Sequence, residues 1–382
     1  MRKTLYILAL VSTLGVAAQT ALYNSGNIRI HQEGQLGFHT DLINDSTFDE
    51  NLGLAGFYGG APLTVSGAFI PLFFDVELAN DNGVLLQVGL DNANNTNFIS
   101  GDFLTPRNQS DVTYNFLPDA FYVGEGNFSK VNGYAEVISQ QNFTFPIGDN
   151  QQLRPLILNS EGVNPSAKCA YFLEDPNNPT SFNEGFDTEN RPRDMGAIST
   201  VEFWRLVGNV SSTISISWNE RSNMAALTDD VGTVVPVGWN KSTGRWERLG
   251  EGGAVGDLDQ GFVVSAPFIP DNYEILTFGV LGEPTDILDL DNYLITPNGD
   301  GLNDFLTIPE LEQSPNNILR IYDRNGLKVF EKRNYVNEFN GFSNVDNMVI
   351  AREKGLPIGI YFYIVSMEDL NLDFQGFLYL SR

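Results

Sequence analysis

Between Gln19 and about Pro146 the apolar positions fall in very short alternating runs, such as Ile28-Arg29-Ile30, Leu36-Gly37-Phe38 and Leu86-Gln87-Val88-Gly89-Leu90. Gly and Asn break them, at Gly59-Gly60 and Asp81-Asn82-Gly83, and no segment sustains a helical apolar period. Strands this short suit a β-solenoid whose coils each turn two or three side chains inward and stack on the next. The other arrangement such runs allow is an antiparallel sandwich. From Phe143 to about Gly282 the strands lengthen, as in Ile214-Ser215-Ile216-Ser217-Trp218, with one apolar and one hydroxylated face. Period two with one buried face predicts a β-sandwich. Glu283-Pro284-Thr285-Asp286-Ile287 then interrupts the pattern as a linker.

Beyond the linker, Leu319-Arg320-Ile321-Tyr322-Asp323 and Leu327-Lys328-Val329-Phe330 flank Arg324-Asn325-Gly326, and an Asn-Gly step there predicts a tight hairpin. Ile360-Tyr361-Phe362-Tyr363-Ile364-Val365 is apolar on both faces, so a central strand is expected, and Gly376-Phe377-Leu378-Tyr379-Leu380 closes the chain as another. A terminal strand of this kind must be paired or it becomes an aggregating edge.

Composition narrows what such a fold does. The 382 residues carry 48 acidic and 22 basic side chains, a net charge of −26, so phosphate backbones meet like charge and nucleic acid is excluded as a partner. With 42% hydrophobic residues, including 27 Phe, 14 Tyr and 4 Trp, the chain can bury substantial cores and its length suits two or three domains. Cys169 is the single cysteine, which rules out an intrachain disulfide and a cysteine-rich metal site. Arg2-Lys3, the apolar run Leu5 to Val11 and the small residues at Gly15 to Ala18 read as a Sec signal peptide, residues 1–18, cleaved after Ala18. Ser12, Thr13 and Gln19 interrupt it too soon for a membrane span, and no cysteine follows the cut to anchor a lipid.

Catalytic groupings are sparse. His31 and His39 are the only imidazoles, and the sequence holds no Gly-x-Ser-x-Gly elbow, no His-Glu-x-x-His and no phosphate-cradling loop with Lys. A carboxylate pair for glycoside cleavage cannot be picked out from 48 candidates. Trp204, Trp218, Trp239 and Trp246 all fall in the sandwich region, where they are expected to fill the core, with a sugar-stacking platform as the alternative. The long polar loop from Pro176 to Asp194 is expected to be mobile. Asn298, Asp300 and Asp304 place oxygens every few residues and invite a tentative calcium site, but the full EF-hand spacing and its bidentate Glu are missing. A turn in which Asn and Asp satisfy local amides is the preferred reading.

The last region resembles the gliding motility-associated C-terminal domain, the type B sorting domain of cargo exported by the type IX secretion system of Bacteroidota. Five blocks carry the resemblance: Thr296-Pro297-Asn298-Gly299-Asp300-Gly301-Leu302-Asn303-Asp304, Tyr322 to Gly326, Val329-Phe330-Glu331 with Tyr335, Leu356 to Tyr363, and Gly376-Phe377-Leu378. Phe339-Asn340-Gly341 stands where the family has Trp before a Gly, and Asn344 to Lys354 is irregular. The resemblance implies an Ig-like β-sandwich read by an outer-membrane translocon after Sec export. It also implies docking on a PorP/SprF-type outer-membrane barrel. Its sorting or docking residues would be Thr296, Pro297, Asn298, Gly299, Asp300, Gly301, Asn303, Asp304, Asp323, Arg324, Gly326, Gly359, Tyr361, Tyr363 and Gly376.

The expectation is therefore an all-β chain: signal peptide 1–18, β-solenoid 19–146, β-sandwich 147–282, linker 283–290 and sorting domain 291–382. Functionally it is a non-enzymatic surface or extracellular protein without a required cofactor, touching the membrane only through a partner protein. It would serve as accessory or adaptor to another secreted adhesin in a gliding complex. A carbohydrate-binding protein is the competing class and a polysaccharide-cleaving enzyme the third.

Overall fold

The computed structural model describes residues 21–192, 194–250, 253–282, 293–308, 311, 314–345, 355–367 and 372–382. The expected signal peptide 1–18 and linker 283–290 lie outside the described residues. The chain divides into a first unit that reaches Leu281 and a second from Gly282 to Arg382 that also takes Pro192–Met195. Both are almost entirely β, with short 3-10 turns such as Glu220–Ser222 and Pro270–Asn272 in the first.

The first unit begins as a parallel β-solenoid of about six turns. One face stacks Ala21–Asn24, Asp41–Asn44, Leu63–Ser66, Val84–Leu86, Phe103–Leu104 and Val131–Asn132. A second stacks Gln35–Phe38, Leu54–Tyr58, Asp75–Ala79, Asn95–Ser100 and Phe121–Val123. The third holds Leu72–Phe73, Leu90–Asn92, Tyr114–Phe116 and Ala135–Phe145. Ala21 stands beside Asp41, Leu63 beside Val84 and Val84 beside Phe103, so a turn consumes about twenty residues. Inside, one aromatic packs on the next: Phe38 stacks on Phe57 at 4.9 Å, Phe57 meets Phe103 edge-on at 5.6 Å, and Phe103 lies 4.6 Å from Tyr114. Rings at successive turns fill the axis and gain dispersion with every coil added.

The corners explain the abundance of Asn. Asn24 Nδ2 donates to Asn44 Oδ1 at 2.7 Å, and Asn44 Nδ2 donates to the Phe69 carbonyl at 3.0 Å. Asn51 accepts the Ile30 amide at 2.7 Å and donates to the Leu72 carbonyl at 2.7 Å. Buried corner amides and carbonyls must be paired, and a short side-chain amide serves both kinds. Gly101, at φ +79°, is needed where a Cβ would collide with the Asn80 carbonyl.

The sandwich grows out of the solenoid without a break. Leu156–Phe172 pairs antiparallel with Ala135–Phe145, so a single sheet of thirteen strands spans both regions and one core runs through them. The division expected at 146/147 thus falls in a turn between two paired strands. Leu156–Phe172 then serves two layers: its first half pairs with Ser212–Trp218 and its second with Phe203–Val207. Trp204 and Trp218 both meet Phe278 edge-on, at 5.6 and 5.7 Å, and close the interior. Trp246 is buried too, so the core reading holds for three tryptophans, while Trp239, packed on Trp246 at 5.7 Å, is half-buried. Within the expected mobile loop Phe186 is fully buried against Trp239, and Glu174 accepts the Thr180 and Ser181 amides, which fasten the segment.

A buried ion pair sits in this core. Arg154 Nη2 donates to both Glu202 oxygens at 2.7 Å, to the Ser217 carbonyl at 2.9 Å and to Ser222 Oγ at 3.0 Å. Tyr171 donates to Glu202 at 2.6 Å, and the guanidinium lies 5.5 Å over the rings of both Tyr171 and Trp204. Burial, then the Glu202 charge, raises the Tyr171 hydroxyl far above its usual range, so it stays a donor.

The second unit is a five-stranded sheet in the order Tyr293–Ile295, Leu372–Leu380, Gly359–Met367, Asn317–Tyr322, Lys328–Arg333, parallel at the first pair and antiparallel elsewhere. Its inner face offers Leu319, Ile321, Tyr361, Tyr363, Val365 and Leu378. Among the described residues the layer over it consists of connecting segments with Leu306, Ile308, Tyr335 and Phe339, where an Ig-like sandwich has a second sheet.

Candidate functional site

The second unit holds every candidate sorting residue, and the structure distributes them over three places. The first is the loop after Tyr293–Ile295. The Asp304 carboxylate accepts the amides of Asn298, Gly299 and Gly301 at 3.0, 2.7 and 2.8 Å, with Gly299, Gly301 and Asn303 at positive φ. Asp300 accepts from the Leu302 amide and from Asn298 Nδ2, while Asn298 Oδ1 accepts the Asp300 amide. Thr296 braces the loop by donating its amide to the Asn303 carbonyl at 2.8 Å, and Pro297 packs beside Gly341. Each carboxylate or amide oxygen of the three calcium candidates thus already faces an N–H donor. Among the described residues no group of three His, Cys, Asp or Glu is placed to hold a metal, and His39 lies against Tyr58 on the solenoid.

The Gly299 amide, then those of Gly301 and Asn298, hold the Asp304 carboxyl below the ordinary carboxylate range. A depressed folded value stabilises the loop above the unfolded value, and that contribution disappears as pH falls through the folded one. Acidification below the usual Asp range, or Asp304→Ala at neutral pH, is expected to speed hydrogen exchange at the Asn298, Gly299 and Gly301 amides. Unchanged protection of these amides in the variant would refute the turn assignment.

The second place lies at the same end of the strands, at the turn joining Asn317–Tyr322 to Lys328–Arg333. Asp323 Oδ1 accepts the amides of Asn325 and Leu327, both at 2.9 Å, and Gly326 at φ +79° completes the hairpin turn. Tyr361 Oη donates to the Pro357 carbonyl at 2.7 Å and holds the chain entering Gly359–Met367. Asp323, Arg324, Gly359 and Tyr361 then line one cleft of about 830 Å³ with Leu327, Ile358 and Phe362. Burial, then the Asp323 charge, raises the Tyr361 hydroxyl above its usual range.

The third place is interior. Gly376 stands beside Tyr363 across the strand pair, and a Cβ there would lie 2.5 Å from the buried Tyr363 Oη. These two residues shape the core.

The outer face of the sheet supplies what the motif residues alone do not. Leu294, Tyr379 and Ile360 stand side by side in register, with Phe377 and Phe362 in the next row, and each is 40% exposed or more. Such a run of large apolar side chains in water marks an interaction surface, and here it leads into the cleft lined by Ile358 and Leu327. Residues 288–380 match the CHU_C Type IX secretion signal domain. No curated protein and no solved structure matches the chain. The signal domain supports export of this chain by the type IX secretion system, out of the cell.

Within the signal domain the structure also reveals the role of Asn317, which no motif announced, and ties it to Tyr335 and Phe339. Asn317 donates to the Ser314 carbonyl at 2.6 Å and accepts the Tyr335 amide at 2.8 Å. Tyr335 Oη accepts the Phe339 amide at 3.1 Å and donates to the Leu306 carbonyl. Phe339 is fully buried and meets Phe330 at 4.9 Å, so it fills the core position where Trp was expected.

Proposed function

We infer that this chain is a non-enzymatic cargo protein whose C-terminal sheet docks, through its outer apolar face and adjoining cleft, on the outer-membrane translocon. After export a PorP/SprF-type outer-membrane barrel is the proposed holder, and the chain works at the cell surface as accessory or adaptor of a gliding or adhesin complex. The observation that carries this reading is the paired exposure of Ile360 and Phe362, 52% and 50%, on a central strand that is apolar on both faces. A fold gains nothing from leaving such side chains in water, whereas a partner that covers them gains their transfer free energy. Membrane contact runs through that partner, no nucleic acid is involved, and the loop at Asp304 needs no calcium. Burial of Trp204, Trp218 and Trp246 leaves only the half-buried Trp239 for a tryptophan-based glycan platform, which counts against that reading.

The test is the double variant Ile360→Asp, Phe362→Asp in the full chain. Both positions are half exposed, so stability is expected to change by less than about 1 kcal/mol. Surface or medium appearance is expected to fall by about tenfold, with folded protein accumulating in the periplasm, since a desolvated anchor is worth about 2 kcal/mol or more. Undiminished export of the folded variant would refute docking through this face.

A further inference from the structure

In the first unit, an open depression of about 420 Å³ lies between Phe121–Val123 and the paired strands Ala135–Phe145 and Leu156–Phe172. In a chain of net charge −26 no charged side chain lines it. Phe121 is 50% exposed and stands at one wall, on the boundary with a second depression lined by Glu33, Asp75 and Glu77. The wall is firm, because Tyr122 Oη donates to the Thr144 carbonyl at 2.6 Å and its ring meets Phe143 edge-on at 5.8 Å. On the other side Asn142 and Asn159 are register partners and both exposed. Asn142 Oδ1 accepts the Ser160 amide at 3.3 Å. The neutral surface continues from Ile157 to its neighbours Ser215 and Val264 on the adjoining strands.

We propose that this depression binds a neutral polysaccharide chain, independently of the export reading. A sugar hydroxyl both donates and accepts, and so does a side-chain amide, so Asn142 and Asn159 match it without charge. The half-exposed Phe121 ring offers a flat apolar face to the C–H side of a pyranose. Without a charged group in the wall, neither a polyanion nor a polycation gains Coulomb energy there. A protein strand added at this edge would find only the three residues Phe121–Val123 to pair with, shorter than most strands.

Affinity electrophoresis of the full chain, in native gels cast with hydroxyethylcellulose, xyloglucan, galactomannan or laminarin, tests this, with alginate as the charged control. Retardation by at least one neutral polymer is expected. Phe121→Ala and Asn159→Ala, both at exposed positions, are each expected to weaken it by about tenfold while the melting temperature stays within error. The proposal is overturned if no neutral polymer retards the chain, if alginate retards it equally, or if both variants migrate like the native protein. A protein partner at this face would produce the first of these results.

Discussion

Glu202→Ala is expected to destabilise the first unit by about 3–5 kcal/mol, enough to remove most of the stability of an ordinary domain. The carboxylate is 1% exposed and the guanidinium of Arg154 only 3%, so deleting Glu202 strands a cation beneath Tyr171 and Trp204 with no route to water. Tyr171 loses its acceptor in the same step. Replacing both partners together, as Arg154→Met, Glu202→Leu, is expected to cost far less, because no charge is left buried. Urea unfolding followed by tryptophan fluorescence separates the cases, since all four indoles belong to this unit. Equal midpoints for Glu202→Ala and the double replacement would show that the pair is not the source of the loss.

Gly376→Val is expected to unfold the second unit selectively and to abolish export. Its side chain would be driven onto the Tyr363 hydroxyl, inside a core that also contains Tyr361, Val365 and Leu378. Overpacking of this kind costs about 1–3 kcal/mol, and a small sheet has little in reserve. Two calorimetric transitions in the native chain are expected to become one, leaving that of the first unit. The contrast with Ile360→Asp, Phe362→Asp is informative, for there the domain stays folded and only its recognition fails. Full export of Gly376→Val would sever the link between this sheet and secretion.

Much of this was legible in the sequence, and the physics says why. Short alternating runs with Asn and Gly at the breaks suited either stacked coils or an antiparallel sandwich, and the structure takes the coils, with Phe38, Phe57 and Phe103 turned inward. The strand Ile360 to Val365 advertised two apolar faces, and the structure buries one of them. Other features leave no local trace. The pairing of Ala135–Phe145 with Leu156–Phe172 is main-chain bonding, so a pattern of side chains could not tell a domain boundary from a hairpin turn. Arg154 and Glu202 are 48 positions apart, and among so many carboxylates nothing singled this one out. The sorting blocks read as one motif, yet the fold assigns Asp323 and Tyr361 to a cleft, Asp304 to a self-capped loop, and Tyr363 with Gly376 to the interior.

The shared sheet gives the solenoid a direction. Each coil holds only its neighbours, but the last one is welded through Ala135–Phe145 to the sandwich, whereas the coil at Ala21 has a companion on one side alone among the described residues. Among the described coils, unravelling under heat or pull is expected to start at the one holding Ala21 and to run toward the weld, like a zip with a single slider.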